Sequence, residues 1–355
     1  MERQKEEARP VRTGEELNEK SLTEYLGSRL PIGPGEIEIS QFPAGSSNLT
    51  YLIRVDGDEY VLRRPPFGNT VKTAHDMDRE FKVLSKLSAV YGPAPEPLLF
   101  CGDESVIGSE FYLMERRRGL IVRGRAPAEL ESSPELQRRV CGRFIENLAA
   151  LHRLDYEQAG LGDLGRPEGY VRRQVEGWTT RYFNAKTDNW PELERAIEWL
   201  GDNIPAETGA ALIHNDYKFD NIMLDPSDLT RITAVLDWEM VTVGDPLMDL
   251  GTTLGYWMAR EAGDAMLDMP FNPRVLMENI SRADLADLYA SVSGRDISNI
   301  LFYYVFGTFK IAAIAQQIYA RYVKGFTRDE RFAGFDRFVA ALGKFAAYAV
   351  ETGKV

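Results

Sequence analysis

His214-Asn215-Asp216-Tyr217-Lys218-Phe219-Asp220-Asn221-Ile222-Met223-Leu224, followed after a short gap by Ala234-Val235-Leu236-Asp237-Trp238-Glu239, gathers a histidine, several carboxylates and two amides into one stretch. The segment from Ile232 to Leu236 is β-branched and apolar, the composition of a buried strand, and it delivers Asp237 at its end. A carboxylate in that place is costly unless it is hydrogen-bonded or binds a cation. An isolated H-x-D would read as ordinary turn residues, with Asp237 as a cap. The complete set, in this order, reads as a site.

Moving a phosphoryl group from ATP to an alcohol needs a carboxylate that accepts a hydrogen bond from the attacking hydroxyl. It also needs hard oxygen ligands that hold Mg²⁺ against the phosphates. Asp216 suits the first task, Asn221 and Asp237 the second. The spacing His-x-Asp-x-x-x-x-Asn is that of the kinase catalytic loop. Lys218 is placed to neutralise the transferring group, and His214 to brace the loop rather than to carry protons. Asp220 reads as a turn residue.

These residues, with Gly244-Asp245-Pro246-Leu247-Met248-Asp249-Leu250, resemble the aminoglycoside phosphotransferase family of small-molecule kinases. The resemblance is nearer to the branch found at the N-terminus of acyl-CoA dehydrogenase fusion proteins, and runs over residues 20 to 350. It implies a protein-kinase-like bilobal fold of the α+β class, with ATP and Mg²⁺ as cofactors. The acceptor stays open among an aminoglycoside, a hydroxy acid or hydroxyacyl-CoA, choline and a sugar.

Upstream, Ile37 to Arg64 reads as strand, turn, strand, turn, strand, broken at Gly45-Ser46-Ser47-Asn48 and at Asp56-Gly57-Asp58. The first break is a small-residue loop whose backbone N–H groups can approach phosphates, although it lacks a G-x-G-x-x-G pattern. Where the kinase pattern has a lysine on the third strand, this chain has Arg63, which can clamp phosphate bidentately. A helix expected from Ala74 to Val90, with Phe81, Leu84, Leu87 and Val90 on its apolar face, offers Glu80 as the partner of Arg63. By resemblance, Glu115 and Arg116 offer backbone groups to the adenine edge, with Met114 near the base.

Beyond Arg116 the pattern turns helical, near Ser133–Arg153, Tyr170–Ala185 and Pro191–Asn203. The expected division is a flexible arm over residues 1–20, a β-rich nucleotide-binding lobe over 21–115 and a helical catalytic and acceptor-binding lobe over 116–355. Asp245 is expected to cap a helix, Asp249 to order the catalytic loop, His152 to be packed, and His75 to be solvated. Tyr303, Tyr304, Phe306 and Phe309 read as core.

With 44% hydrophobic and 27% charged residues, the 355-residue chain has ample material for a core. A net charge of -12 argues against nucleic acid or an anionic membrane as partner. Cys101 and Cys141 are too few for a disulfide framework or a zinc motif, which suits the cytoplasm. The apolar stretch Ile297 to Tyr319 is interrupted by Lys310, Gln316 and Gln317, so a buried helix is expected there rather than a membrane span. Gly-Asp-Pro follows Asp237 too closely for a peptide-docking segment and no Ala-Pro-Glu appears, so a small-molecule hydroxyl acceptor fits better than a protein. A non-catalytic nucleotide-binding pseudokinase is the alternative outside catalysis. A metal-dependent phosphohydrolase would need a second histidine cluster.

Overall fold

The computed structural model describes residues 8–30, 37–43, 48–67, 76–258, 260–327 and 329–355. Gly45, Ser46 and Ser47 of the expected phosphate loop, and His75, lie outside these residues. The chain begins with α1 (Glu19–Gly27), β1 (Glu38–Gln41), β2 (Leu49–Val55), β3 (Asp58–Arg64), α2 (Met77–Leu87), β4 (Pro97–Cys101), β5 (Phe111–Glu115) and β6 (Leu120–Ile121). It continues through α3 (Ala128–Glu131), α4 (Pro134–His152), α5 (Tyr170–Ala185), α6 (Pro191–Asp202), β7 (Ala211–Ile213), β8 (Ile222–Asp225), β9 (Asp228–Val235) and β10 (Thr242–Gly244). It ends with α7 (Pro246–Tyr256), α8 (Asp264–Leu267), α9 (Arg274–Asn279), α10 (Arg282–Ser293), α11 (Ile300–Val323) and α12 (Phe335–Thr352).

Two compact units form, the first running to Ile121 with Ile222–Glu239 added, the second comprising Val122–Asn221 and Met240–Val355. The division therefore falls beyond Glu115, and the strand pair that carries Asp237 joins the β-rich unit. In the first unit an antiparallel sheet runs β1-β2-β3-β5-β4. Asp56 and Gly57 both take positive φ in the β2–β3 turn, as a tight hairpin matched to strand twist requires. Tyr51, Ile53, Leu62, Phe111 and Leu113 fill the core, with Leu22 and Leu26 of α1 packed into it. Part of the expected flexible arm is tied down. Arg9 and Gln41 exchange backbone hydrogen bonds at 2.8 and 2.7 Å, and the Tyr51 hydroxyl donates to the Glu15 carbonyl at 2.7 Å.

Asp76 caps α2 by accepting from the Arg79 N–H at 2.8 Å, and Met77, Glu80, Val83, Leu84 and Leu87 are its buried face. The expected face is shifted. The helix stops at Leu87, so Val90 lies beyond it and is exposed, and Val83 packs inside. A second sheet, β6-β8-β9, is fixed to the unit where the Val235 N–H donates to the Pro93 carbonyl at 2.9 Å and Trp238 meets Tyr91 edge-on.

The second unit is helical around a short antiparallel pair, β7 with β10. Every residue of α7 is buried, the carboxylate of Asp249 included. Its close approach to α11 depends on missing side chains: a Cβ at Gly251 would meet the Tyr303 carbonyl oxygen at 2.1 Å, and one at Gly307 the Gly251 oxygen at 2.1 Å. Both obstacles are backbone, so neither can rotate aside. Gly251→Ala is expected to destabilise the protein by about 1–3 kcal/mol or more, measured as a fall in the denaturant midpoint with little change in slope. Tyr303, Tyr304, Phe306 and Phe309 are core, as expected. Among the described residues no helix is long and apolar enough to cross a membrane.

Candidate active site

In the second unit β7 leads into the loop, and Asn215 takes φ +67 directly after it. A non-glycine residue in the left-handed region stores strain of about 1–3 kcal/mol and persists only where its surroundings hold it. Here they do. The Asp249 carboxylate, fully buried on α7, accepts from the backbone N–H groups of His214 (2.7 Å) and Asn215 (2.8 Å), and lies 3.1 Å from His152 Nε2. Burial acts to raise the Asp249 pKa, but the hydrogen bond and charge of His152, with the charge and N–H of His214, outweigh it and hold it low. His152 is packed, its Nδ1 2.7 Å from the Tyr289 hydroxyl. Asp245 caps α7 through the Leu247 N–H and also accepts from Thr208 and Tyr303.

The loop presents Asp216 with both carboxylate oxygens engaged. Oδ1 accepts from the Tyr256 hydroxyl at 2.7 Å; Oδ2 accepts from Asn221 Nδ2 at 2.9 Å and from the Lys218 ammonium. The side chain is 16% exposed, so an outer approach remains open. His214 Nδ1 accepts the Asp216 N–H at 3.2 Å, which makes His214 a brace. Lys218 also sits 4.9 Å from the centre of the Tyr256 ring. Asp220 pairs with Arg123 and donates its N–H to the Phe271 carbonyl, a structural role. The second unit thus assembles His214, Asp216, Lys218 and Asn221.

Two residues of this assembly had no signal in the motif. Tyr256 is recruited because α7 ends beside the loop. Lys310 on α11, read only as an interruption of an apolar run, is 2% exposed, and its Nζ donates to the Asn215 carbonyl (2.7 Å) and Oδ1 (3.3 Å). Burial lowers its pKa from 10.5 to about 8, against the attraction of Asp249 and Asp216. Below about pH 8 folded and unfolded chains both hold this proton, and the burial cost is felt in full. Between about 8 and 10.5 only the unfolded chain holds it, so this group makes stability rise with pH, by about 1.4 kcal/mol per unit. Denaturant titrations of wild type and Lys310→Met across that window are expected to diverge with this sign.

In the first unit, Arg63 and Glu80 are both buried and form the expected ion pair, at 3.5 Å. The tighter partner is Asp237, whose Oδ1 is 2.8 Å from Arg63 Nη2, with Glu239 at 3.7 Å. Burial works against charge on Arg63, but Glu80, Asp237, Tyr112 and Glu239 hold its pKa above the ordinary value. Glu80 is pushed up by burial. Asp237 stands at φ +67 just past β9, a second strained residue of the candidate site. Glu239, which the sequence did not single out, accepts from Asn48 Nδ2 at 2.9 Å, and its backbone carbonyl from Arg79 at 3.1 Å. One guanidinium therefore faces three carboxylates.

Of the residues expected at the adenine edge, Glu115 has its backbone N–H engaged within the protein. The Glu115 N–H donates to the Glu96 carbonyl at 2.9 Å, so that donor is spent within the protein where the chain folds back beside β4. Glu115 Oε1 accepts from the Glu96 N–H and Arg117, while Arg116 pairs with Glu59 and lies over the Phe42 ring. Met114 is buried, paired in the sheet with Val61 and Pro97.

The sequence profile of the phosphotransferase enzyme family matches residues 38–274. Acyl-CoA dehydrogenase family member 11 of Gallus gallus is 36% identical over 342 residues, covering 94% of this chain and 44% of that protein. The chain thus spans less than half the length of this curated relative. A Ralstonia eutropha JMP134 structure assigned to the aminoglycoside phosphotransferases is 31% identical, with TM-score 0.76 and coverage of 94% of this chain and 99% of that one. A thermostable aminoglycoside phosphotransferase mutant, solved with ADP and hygromycin B, shares 17% identity and the fold, with TM-score 0.59 and coverage of 94% and 97%.

Proposed function

Since the chain belongs to the phosphotransferase enzyme family and has its protein-kinase-like fold, we propose that it moves the γ-phosphate of ATP to a hydroxyl of a small molecule. The observation that carries this reading is Asp216. Its carboxylate is oriented by three donors yet 16% exposed, as a group must be to accept a hydrogen bond from an acceptor hydroxyl. The neighbour holding ADP and hygromycin B supports a nucleotide and a small acceptor.

Asp237 and Asn221 are the residues proposed to hold Mg²⁺, on the chemistry of their oxygens alone. Asp237 and the amide oxygen of Asn221 are hard ligands, and the Asp237 side chain is 30% exposed. Glu80, Asp237 and Glu239 gather around Arg63. Mg²⁺ held there would neutralise phosphate charge. Arg63 keeps Asp237 in place and offers its remaining N–H groups to phosphate, with Gly45, Ser46, Ser47 and Asn48 as the proposed phosphate loop. Asp216 orients the acceptor hydroxyl and takes its proton late, because the transition state is loose. Lys218 offsets charge on the transferring group.

The test is ATP consumption screened against hydroxy acids, hydroxyacyl-CoAs, aminoglycosides, choline and sugars, with ATP binding followed by calorimetry. Turnover on at least one of these hydroxyl acceptors is expected, and the acceptor that supports it names the substrate class. ATP binding without turnover on any acceptor would mark a pseudokinase, and absence of both would remove the phosphotransferase reading.

A further inference from the structure

We propose that Lys310 is a positioning residue for the catalytic loop, its ammonium holding Asn215 in the left-handed conformation that presents Asp216. The proposal rests on the phosphotransferase reading and deepens it.

Lys310 donates to two acceptors of one residue, the carbonyl and the Oδ1 of Asn215. A left-handed residue is sustained only by contacts that over-determine it. Asn215 has them on every side: its N–H goes to Asp249, its Nδ2 donates to the Met240 carbonyl at 3.0 Å, and its two oxygens face Lys310. Releasing the two oxygens removes the constraint on the peptide that leads directly into Asp216.

Ammonium burial is expensive, and burial is the larger influence on this group, whereas its hydrogen-bond acceptors are both neutral. A helix packed for stability alone would place an apolar side chain there, as α11 does at Phe306, Phe309 and Ala313. What the charge adds is a positive field behind the loop. Asp249 on α7, Asp216 and Lys218 in the loop, and Arg181 on α5 are the charges that act on Lys310 most strongly, and it lies 5.8 Å from the Trp178 ring of α5. Lys310 touches Asn215 rather than the reacting atoms, so it positions and does not catalyse.

The test compares wild type with Lys310→Met, which removes donor and charge, Lys310→Gln, which keeps a donor, and Asn215→Gly, which reaches positive φ without strain. Lys310→Met is expected to lower kcat about 10²-fold with the KM for ATP nearly unchanged, and to speed amide exchange of residues 215–217. Lys310→Gln is expected to recover part of kcat. In the Asn215→Gly background, Lys310→Met should cost much less, since coupled residues are not additive. Wild-type kcat in folded Lys310→Met, or full additivity in the double variant, would overturn the proposal. If Lys310→Met does not fold, Lys310→Gln decides by the same readouts. If wild type turns over no acceptor, the phosphotransferase reading fails by itself, and loop exchange in wild type and variants still tests the hold of Lys310 on Asn215.

Discussion

Asp216→Asn is expected to lower kcat by about 10²–10⁴-fold while leaving ATP affinity nearly unchanged, read by single-turnover phosphate transfer beside calorimetric titration. The substitution keeps the size of the side chain and an oxygen for Asn221 or Tyr256 to address. It removes the second acceptor oxygen and the charge that Lys218 balances. Under the proposed function, what is lost is the ability to orient and finally deprotonate an alcohol, which is exercised only as the acceptor reacts. Asp216→Ala should lose activity at least as fully. Near-wild-type turnover in Asp216→Asn would remove Asp216 from the chemistry.

Arg63→Met should produce the largest loss of stability, about 3–5 kcal/mol, because removing one partner of a buried ion pair strands the other. Glu80 is 2% exposed and already pushed up in pKa by burial, and Asp237 would lose its contact at 2.8 Å. Arg63→Met/Glu80→Gln should recover part of the stability, because the stranded buried charge is gone. It should not recover activity, since Asp237 stays unanchored. Urea unfolding of the single and double variants measures the first, turnover the second. Full stability in Arg63→Met would show that the guanidinium is not what holds these carboxylates. The loss should grow as pH rises: without Arg63, the buried Glu80 takes up a proton at low pH, and the cost of its charge returns on deprotonation.

Much of the site was legible because its signals are local. His-x-Asp-x-x-x-x-Asn brings Asp216, Lys218 and Asn221 together within one loop, and the structure confirms their mutual contacts. Gly244-Asp245-Pro246 marks a helix start by the chemistry of capping, and Asp245 caps α7. The strand pattern before Arg63 and the helical pattern around Glu80 were enough to pair those two residues. Local patterns say least where an element ends. Nothing in Phe111–Arg116 reveals that the Glu115 N–H is spent on Glu96, and the apolar Val90 lies past the end of its helix.

The sequence by itself determined which functional groups this chain carries and in what order: an arginine where the kinase pattern has a lysine, then a carboxylate, a lysine and an amide in one loop, and a carboxylate past a strand end. That information resides in side-chain type and short spacing, which fix local geometry. Only the tertiary structure decided what holds those groups. It assigned Asp237 and Glu239 to Arg63, placed Asp249 beneath the loop, and brought Tyr256 and Lys310 to Asp216 and Asn215. The reason is physical. Contacts between residues such as Asn215 and Lys310 exist only because two glycine-bearing helices pack backbone to backbone, and no local pattern encodes that approach.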